Sequence, residues 1–170
     1  MKNLWLFASN SLENIEEAYK NLLWGFWDKD LLDTGRKKTT SISEIEETNF
    51  MVNLTRHWRN FLRCFNEIKP FDIAVLQIAK SYEIHALGVV KRTYYDDETP
   101  IWSREFESGK ILFPWRVKFS IILYSKEPFL KHATPLETYI GGYGLSELPD
   151  HDFRQIVRAI TNQTKIHINL

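Results

Sequence analysis

The hydrophobic period of this chain changes at Pro70, and that change limits the folds open to it. Before Pro70, Trp58, Phe61, Leu62 and Phe65 fall at i, i+3, i+4 and i+7, which predicts a helix from Thr55 to Phe65. Arg56, Arg59 and Arg63 share the other side of that helix. After Pro70 the period is two. Ile73 to Ala79, Ile84 to Val90 and Trp115 to Tyr124 read as strands, the first two joined as a hairpin through Ser81-Tyr82-Glu83. In the last of them Trp115, Val117, Phe119, Ile121 and Leu123 alternate with Arg116, Lys118 and Ser120. Near the start, Asn3 to Ala8 is a short apolar run that predicts a buried strand. Asn10 with Glu13 forms a capping pair for a helix from about Ser11 to Leu23, closed by Trp24-Gly25-Phe26-Trp27. Ser41 with Glu44 offers a second cap, and Asp150 caps a final helix with Phe153, Ile156, Val157 and Ile160 inward. The expected fold class is α+β: a curved, partly closed β-sheet with helices packed around it.

At 170 residues and 20.2 kDa, with no internal repeat and no Gly- or Ser-rich linker, residues 1–170 are expected to form one domain. Lys plus Arg and Asp plus Glu both number 22, so any basic surface must be local. A lone cysteine, Cys64, excludes an internal disulfide and a multi-cysteine zinc site. The opening MKNLWLFASNS turns polar too soon for a signal peptide, and no run approaches the roughly 18 apolar residues of a membrane span. A cytoplasmic protein without a membrane partner is expected.

No catalytic centre assembles from the sequence. His57 and Cys64 are seven apart and could share a helical face, but Cys64 sits beside the apolar stripe, where most cysteines are inert. The five His are scattered, which gives no metal-ligand spacing. Gly141-Gly142-Tyr143-Gly144 lacks the Lys-Ser/Thr of a phosphate loop and reads as a tight turn. The expectation is a non-enzyme with no metal and no cofactor. Aromatic residues are the anomaly, at 14% with six Trp. Trp24, Trp27, Trp102 and Phe106 fall at predicted helix ends or in loops, the last two within the long connection from Thr93 to Phe113. Large rings there either cover the ends of the sheet or stack on a ligand. Beside basic residues they form the combination that a nucleotide-stacking site needs.

Ser9-Asn10-Ser11-Leu12-Glu13-Asn14-Ile15, followed by Trp24 ten residues after Asn14, resembles the opening of the YTH domain, a reader of N6-methyladenine. Pro100-Ile101-Trp102 resembles the segment that carries the second cage tryptophan. Phe113 to Phe119, with Leu145-Ser146-Glu147-Leu148-Pro149 before the last helix, is equally similar to EVE domains. Both belong to the PUA-like superfamily, so the resemblance implies a PUA-like barrel. Gly25 stands where that family usually has Ser, and the stretch from Asp30 to Lys69 is longer than its counterpart. Similar domains form the N-terminal specificity module of archaeal McrB-type restriction proteins.

The resemblance implies a modified-base reader in which Trp24 and Trp102 sandwich the base and Phe106 or Trp27 closes the floor. It implies an Asn14 amide that donates to N1, a Gly25 carbonyl that accepts N6–H, and Ser9 and Asn10 at the same site. Phosphate contacts are expected from Arg56, Arg59, Arg63, Arg104, Lys110 and Arg116. The expected ligand is methylated DNA with the adenine flipped out, the chain serving a restriction system whose GTPase recruits a nuclease. Methylated or structured RNA and a modified cytosine of EVE type stand as the alternatives, with an enzyme that uses Cys64 as the last.

Overall fold

A computed structural model describes residues 3–27, 59–130, 141–142 and 144–164. The short helix expected from Ser41, Trp58 and the arginine Arg56 lie outside the described residues. The element order is β1 (Leu4–Ser9), α1 (Leu12–Asn21), β2 (Leu23–Phe26), a helix over residues 59–67 (α2), β3 (Ile73–Ile78), β4 (Ile84–Tyr95), α3 (Ser103–Ser108), β5 (Trp115–Tyr124), β6 (Gly141–Gly142), β7 (Leu145–Glu147) and α4 (Asp150–Thr164).

One sheet runs in the order β2-β5-β4-β3-β1-β7-β6. Among the described strands only the β1–β3 pair is parallel, with Leu4 opposite Ile73. The buried carboxylate of Asp72 locks this pair: it accepts from the Asn3 and Lys69 backbone N–H groups and from Trp5 Nε1, each at 2.9 Å. Register shifts at Leu76/Gln77, Val89/Val90 and Val90/Arg92 are bulges that bend the strands, and the sheet curls into a partly closed half-barrel. The class is α+β, as expected.

The near-continuous apolar runs of β1 and β3 follow from cover on both faces. Trp5, Phe7, Ala74 and Leu76 face a core shared with α1 (Ile15, Ala18) and α2 (Phe61, Cys64, Phe65). Leu6, Ile73 and Val75 face a second cluster made with Phe153, Ile156 and Ile160 of α4. Trp5, Phe7, Phe61 and Phe153 are at most 1% exposed, and burying each contributes roughly 2–3 kcal/mol.

The structure corrects the sequence reading in four places. Helix α1 is capped by Ser11, whose Oγ accepts from Asn14 N, and Asn10 is exposed beyond it. It ends at Asn21, because Leu22 turns into the left-handed region at φ 51°. Trp24 to Phe26 then form a strand, paired with β5, rather than the closing turn of the helix. The long connection after Thr93 is largely ordered: β4 continues to Tyr95, and α3 occupies its middle.

Candidate functional site

Among the described residues, strand β2 lies at one margin of the sheet, so one of its edges carries no described partner strand. Phe119 N donates to Leu22 O, and Leu23 faces Lys118 in the register. By antiparallel alternation Trp24 and Phe26 spend their backbone groups on β5, while Leu23 and Gly25 turn theirs to the open edge. The side chains separate by face. Trp24 and Phe26 point into the core beside Phe7, with ring centroids 5.9 and 5.1 Å from it. Gly25 points to the other face, against the Trp102 ring. A Cβ there would lie 2.4 Å from Trp102 Cη2 and 2.6 Å from Phe113 Cβ, so only glycine admits this approach. Trp24 and Trp102 therefore flank the open edge of β2 from opposite faces.

A cavity of about 250 Å³ occupies this edge. Its polar side comes from the β1–α1 junction. Asn14 Nδ2 donates to Ser9 Oγ at 2.8 Å, and Ser11 N donates to the same oxygen at 3.3 Å. Among the described residues nothing takes the hydroxyl proton of Ser9, the second N–H of Asn14 or its Oδ1. Glu17, one turn along α1 from Asn14, also lines the cavity, and its carboxylate accepts from the Ser103 hydroxyl across the mouth. Gly144 closes the end at φ 80°, its carbonyl accepting from Ala8 N at 2.8 Å.

The Trp102 wall rests on buried charge. Glu105, 1% exposed, accepts from Ile101 N at 2.8 Å and from Leu112 N and Phe113 N at 3.0 Å. Arg116, fully buried, donates to Asp96 Oδ2 at 2.9 Å, Thr99 O at 2.6 Å and Phe113 O at 3.1 Å, and lies 3.6 Å from Glu105 Oε2. Its guanidinium sits 5.3 Å from the Trp102 ring. Backbone N–H groups of Glu98 and Thr99 hold the Asp96 carboxyl below the usual range, so it stays ionised opposite Arg116.

Comparison with known proteins places the sequence. It is 48% identical over 155 residues to the uncharacterized protein MJ1369 of Methanocaldococcus jannaschii, an alignment that spans 91% of this chain and 88% of the relative. The chain belongs to the MJ1369 family. No family model matches it. Among solved structures, this MJ1369-family chain is similar to the MmI1 YTH domain, with a TM-score of 0.51 and 11% identity over 95% of this chain and 96% of that one. The Pho92 YTH domain in complex with m6A aligns with a TM-score of 0.44 and 17% identity, over 95% and 85% of the two chains. The fold is YTH-like.

The cavity of this MJ1369-family chain gathers Ser9, Asn10, Asn14, Trp24, Gly25, Trp27 and Trp102, with Arg104 at its rim. Phe106, expected as a floor, does not line it. That ring is 66% exposed on α3, and Phe113 lines the cavity, 4.8 Å from the Trp27 ring and 5.3 Å from Trp102. Trp24 and Trp102, expected in loops, are 5% and 6% exposed, so both also serve as packing. Arg116, expected on a phosphate, is spent inside the protein, because its position on β5 faces the covered side of the sheet. Arg59 and Lys110 are exposed, and Arg63 pairs with Glu147 at 3.1 Å and Glu67 at 3.4 Å. Sequence reading missed Glu17 and Phe113. Glu17 carried a signal, since it lies three residues after Asn14 on one helical face; Phe113 carried none, because only the fold of residues 96–116 brings it to the cavity.

Cys64 is fully buried, and burial pushes its thiol above the ordinary range, which suits a core residue and not a nucleophile. Among the described residues no group of three or more His, Cys, Asp or Glu could hold a metal ion, and no helix is long and apolar enough to cross a membrane.

Proposed function

We propose that this protein is a non-catalytic reader of a modified base, N6-methyladenine flipped out of duplex DNA, held at the open edge of β2. The observation that carries the reading is the convergence of two tryptophans from opposite faces of one edge strand with the Asn14–Ser9 pair on a cavity of about 250 Å³. That volume lies just under the ~300 Å³ lower end of drug-sized pockets, which suits one base and not a dinucleotide. In this reading Trp24 and Trp102 contact the two sides of the base. The free N–H of Asn14 donates to N1, and the outward carbonyl of Gly25 accepts the one remaining N6–H. The methyl group adds apolar contact of about 0.8 kcal/mol. Extruding the base costs a few kcal/mol, offset by stacking of roughly 1–3 kcal/mol per base and by phosphate contacts.

The preference for DNA rests on the exposed arginines of α2. The Arg63 pairs are surface pairs, each worth about 0–1 kcal/mol, which a phosphate can displace. The resemblance of the Phe113 to Phe119 and Leu145 to Pro149 segments to EVE domains, together with the use of YTH/EVE-like domains as specificity modules, extends the reading: the chain targets methylated DNA for a McrB-type GTPase and its nuclease.

A titration of the protein against matched DNA and RNA oligonucleotides, each with and without N6-methyladenine, tests this. Methylated duplex DNA should bind more tightly than its unmethylated twin, and at least as tightly as methylated single-stranded RNA. A fluorescent adenine analogue at the methylated position should brighten as it leaves the stack. Tight binding to methylated RNA with no brightening on duplex DNA would replace DNA with RNA as the ligand.

A further inference from the structure

On the sheet beyond the pocket, two locally unfavourable arrangements stand side by side. In the β4–β5 ladder Arg92 is directly opposite Lys118, and like charges at opposed positions repel. Lys91, left over by the bulge between Val90 and Arg92, adds another exposed cation, and Lys69 adds a fourth. Among the described residues none of these four has an acidic partner. Next to Lys91, Phe71 holds φ 72°, in the left-handed region that a bulky side chain avoids, and its ring is 68% exposed. Its backbone N–H donates to Val90 O at 2.8 Å, so the strained residue is anchored beside the bulge. Arg92 in turn lies 4.7 Å over the Tyr94 ring.

Charge repulsion, backbone strain and an exposed phenyl ring each lower the stability of the free protein. A polyanion that carries flat rings would offset the repulsion and cover the exposed ring that the strained backbone holds out. The register also ties the patch to the pocket. Lys118 is paired with Leu23 of β2, and the next two residues, Trp24 and Gly25, line the cavity. Leu23, Lys118 and Arg92 thus form a row across three adjacent strands, about 10 Å long at ~4.8 Å per strand, that leads from the pocket's edge strand toward Phe71. Resting on the reading of the pocket given above, we propose that this row is a track for the phosphodiester backbone of the DNA strand that flanks the bound base. Lys118, Arg92 and Lys91 meet phosphates, and Phe71 stacks a base farther along.

The test uses the double variant Arg92→Ala/Lys118→Ala and, separately, Phe71→Gly. The probes are a single-stranded DNA dodecamer carrying one N6-methyladenine, its unmodified twin, and the free N6-methyladenosine nucleoside. The double variant should lose roughly tenfold in dodecamer affinity, and its slope of log Kd against log salt should fall by about 0.7 per lost contact. Its nucleoside affinity should stay at the parent value. Its Tm should equal or exceed the parent's, because the repulsion is gone. Phe71→Gly should raise Tm and weaken the dodecamer several-fold. An unchanged slope and affinity in the double variant would overturn the track, as would a fall in Tm that accounts for the lost binding. Polyglutamate that binds the parent as tightly as DNA would overturn the assignment to a nucleic-acid strand. A failure of the pocket reading looks different: the parent would then ignore the methyl group and the nucleoside, while the unmodified dodecamer would still report the track through the same variants.

Discussion

The two tryptophans at the pocket are equally buried, yet they are held in opposite ways. Trp24 is a core residue. Its ring packs on Phe7 and Phe26 within the apolar cluster that α1 and α2 cover. Trp102 stands at the N-cap of α3, in a segment organised by buried charge, where Glu105 and Arg116 bind backbone groups from Thr99 to Phe113. One wall is continuous with the hydrophobic core. The other is a polar mount laid over Gly25 and tied to α1 through Ser103 and Glu17. The comparison teaches that burial alone does not say how a ring responds to change: dispersion forces are spread over many neighbours, whereas a buried ion pair fails when a single partner is lost.

The largest expected effect breaks the apolar wall. Trp24→Ala should cost about 3–5 kcal/mol of stability, because it opens a cavity inside the main core, and a denaturant titration would show it. Trp102→Ala should cost less stability, since its ring packs at the margin, while losing binding in the stacking range of about 1–3 kcal/mol. Equal stability losses in the two variants would erase the distinction between the walls.

Arg116→Ala probes the polar mount directly. Removing one member of the buried pair should cost about 3–5 kcal/mol, as the Glu105 carboxylate is left uncompensated. Hydrogen exchange should then show α3 and residues 96–113 losing protection first, with β1 and β3 retaining theirs. Uniform loss of protection across the sheet would mean that the mount and the core unfold as one unit.

Asn14→Ala tests the junction between the walls. It should weaken binding of adenine and N6-methyladenine alike by about 1 kcal/mol, the worth of one hydrogen bond, with little change in Tm. The helix cap survives because it uses the Asn14 backbone N–H and the Ser11 hydroxyl. Ser11→Ala is the matching control, and should lower stability by ~1 kcal/mol. The smallest effect is expected from Phe106→Ala, within about 0.5 kcal/mol in both stability and binding, because that ring projects into solvent. A clear loss of affinity there would return Phe106 to the pocket and displace Phe113.

Much of this molecule is legible in its sequence. The α+β class follows from the change of period at Pro70, and the β5 limits, Trp115 and Tyr124, coincide with the strand that alternation predicts. The apolar run from Asn3 to Ala8 announced β1 as a buried strand, and a period of two located β3, whose cover on both faces appears only in the structure. Local chemistry thus located most of the helices and strands, though not β2 or α3, and the order of Ser9, Asn14, Trp24 and Trp102 marked residues that meet at one cavity. Three decisions belong to tertiary structure alone. Trp24-Gly25-Phe26 became a strand because β5 supplied the hydrogen bonds that a helix end would have left open. Arg116 went inside because Asp96 and Glu105, twenty and eleven residues away, converge on it and offset its desolvation. Phe113 replaced Phe106 at the cavity because residues 96–116 fold back over Gly25, the one position with no side chain in the way. Each depends on contacts between residues distant in sequence, and helical or strand periodicity, a property of near neighbours, carries no record of them.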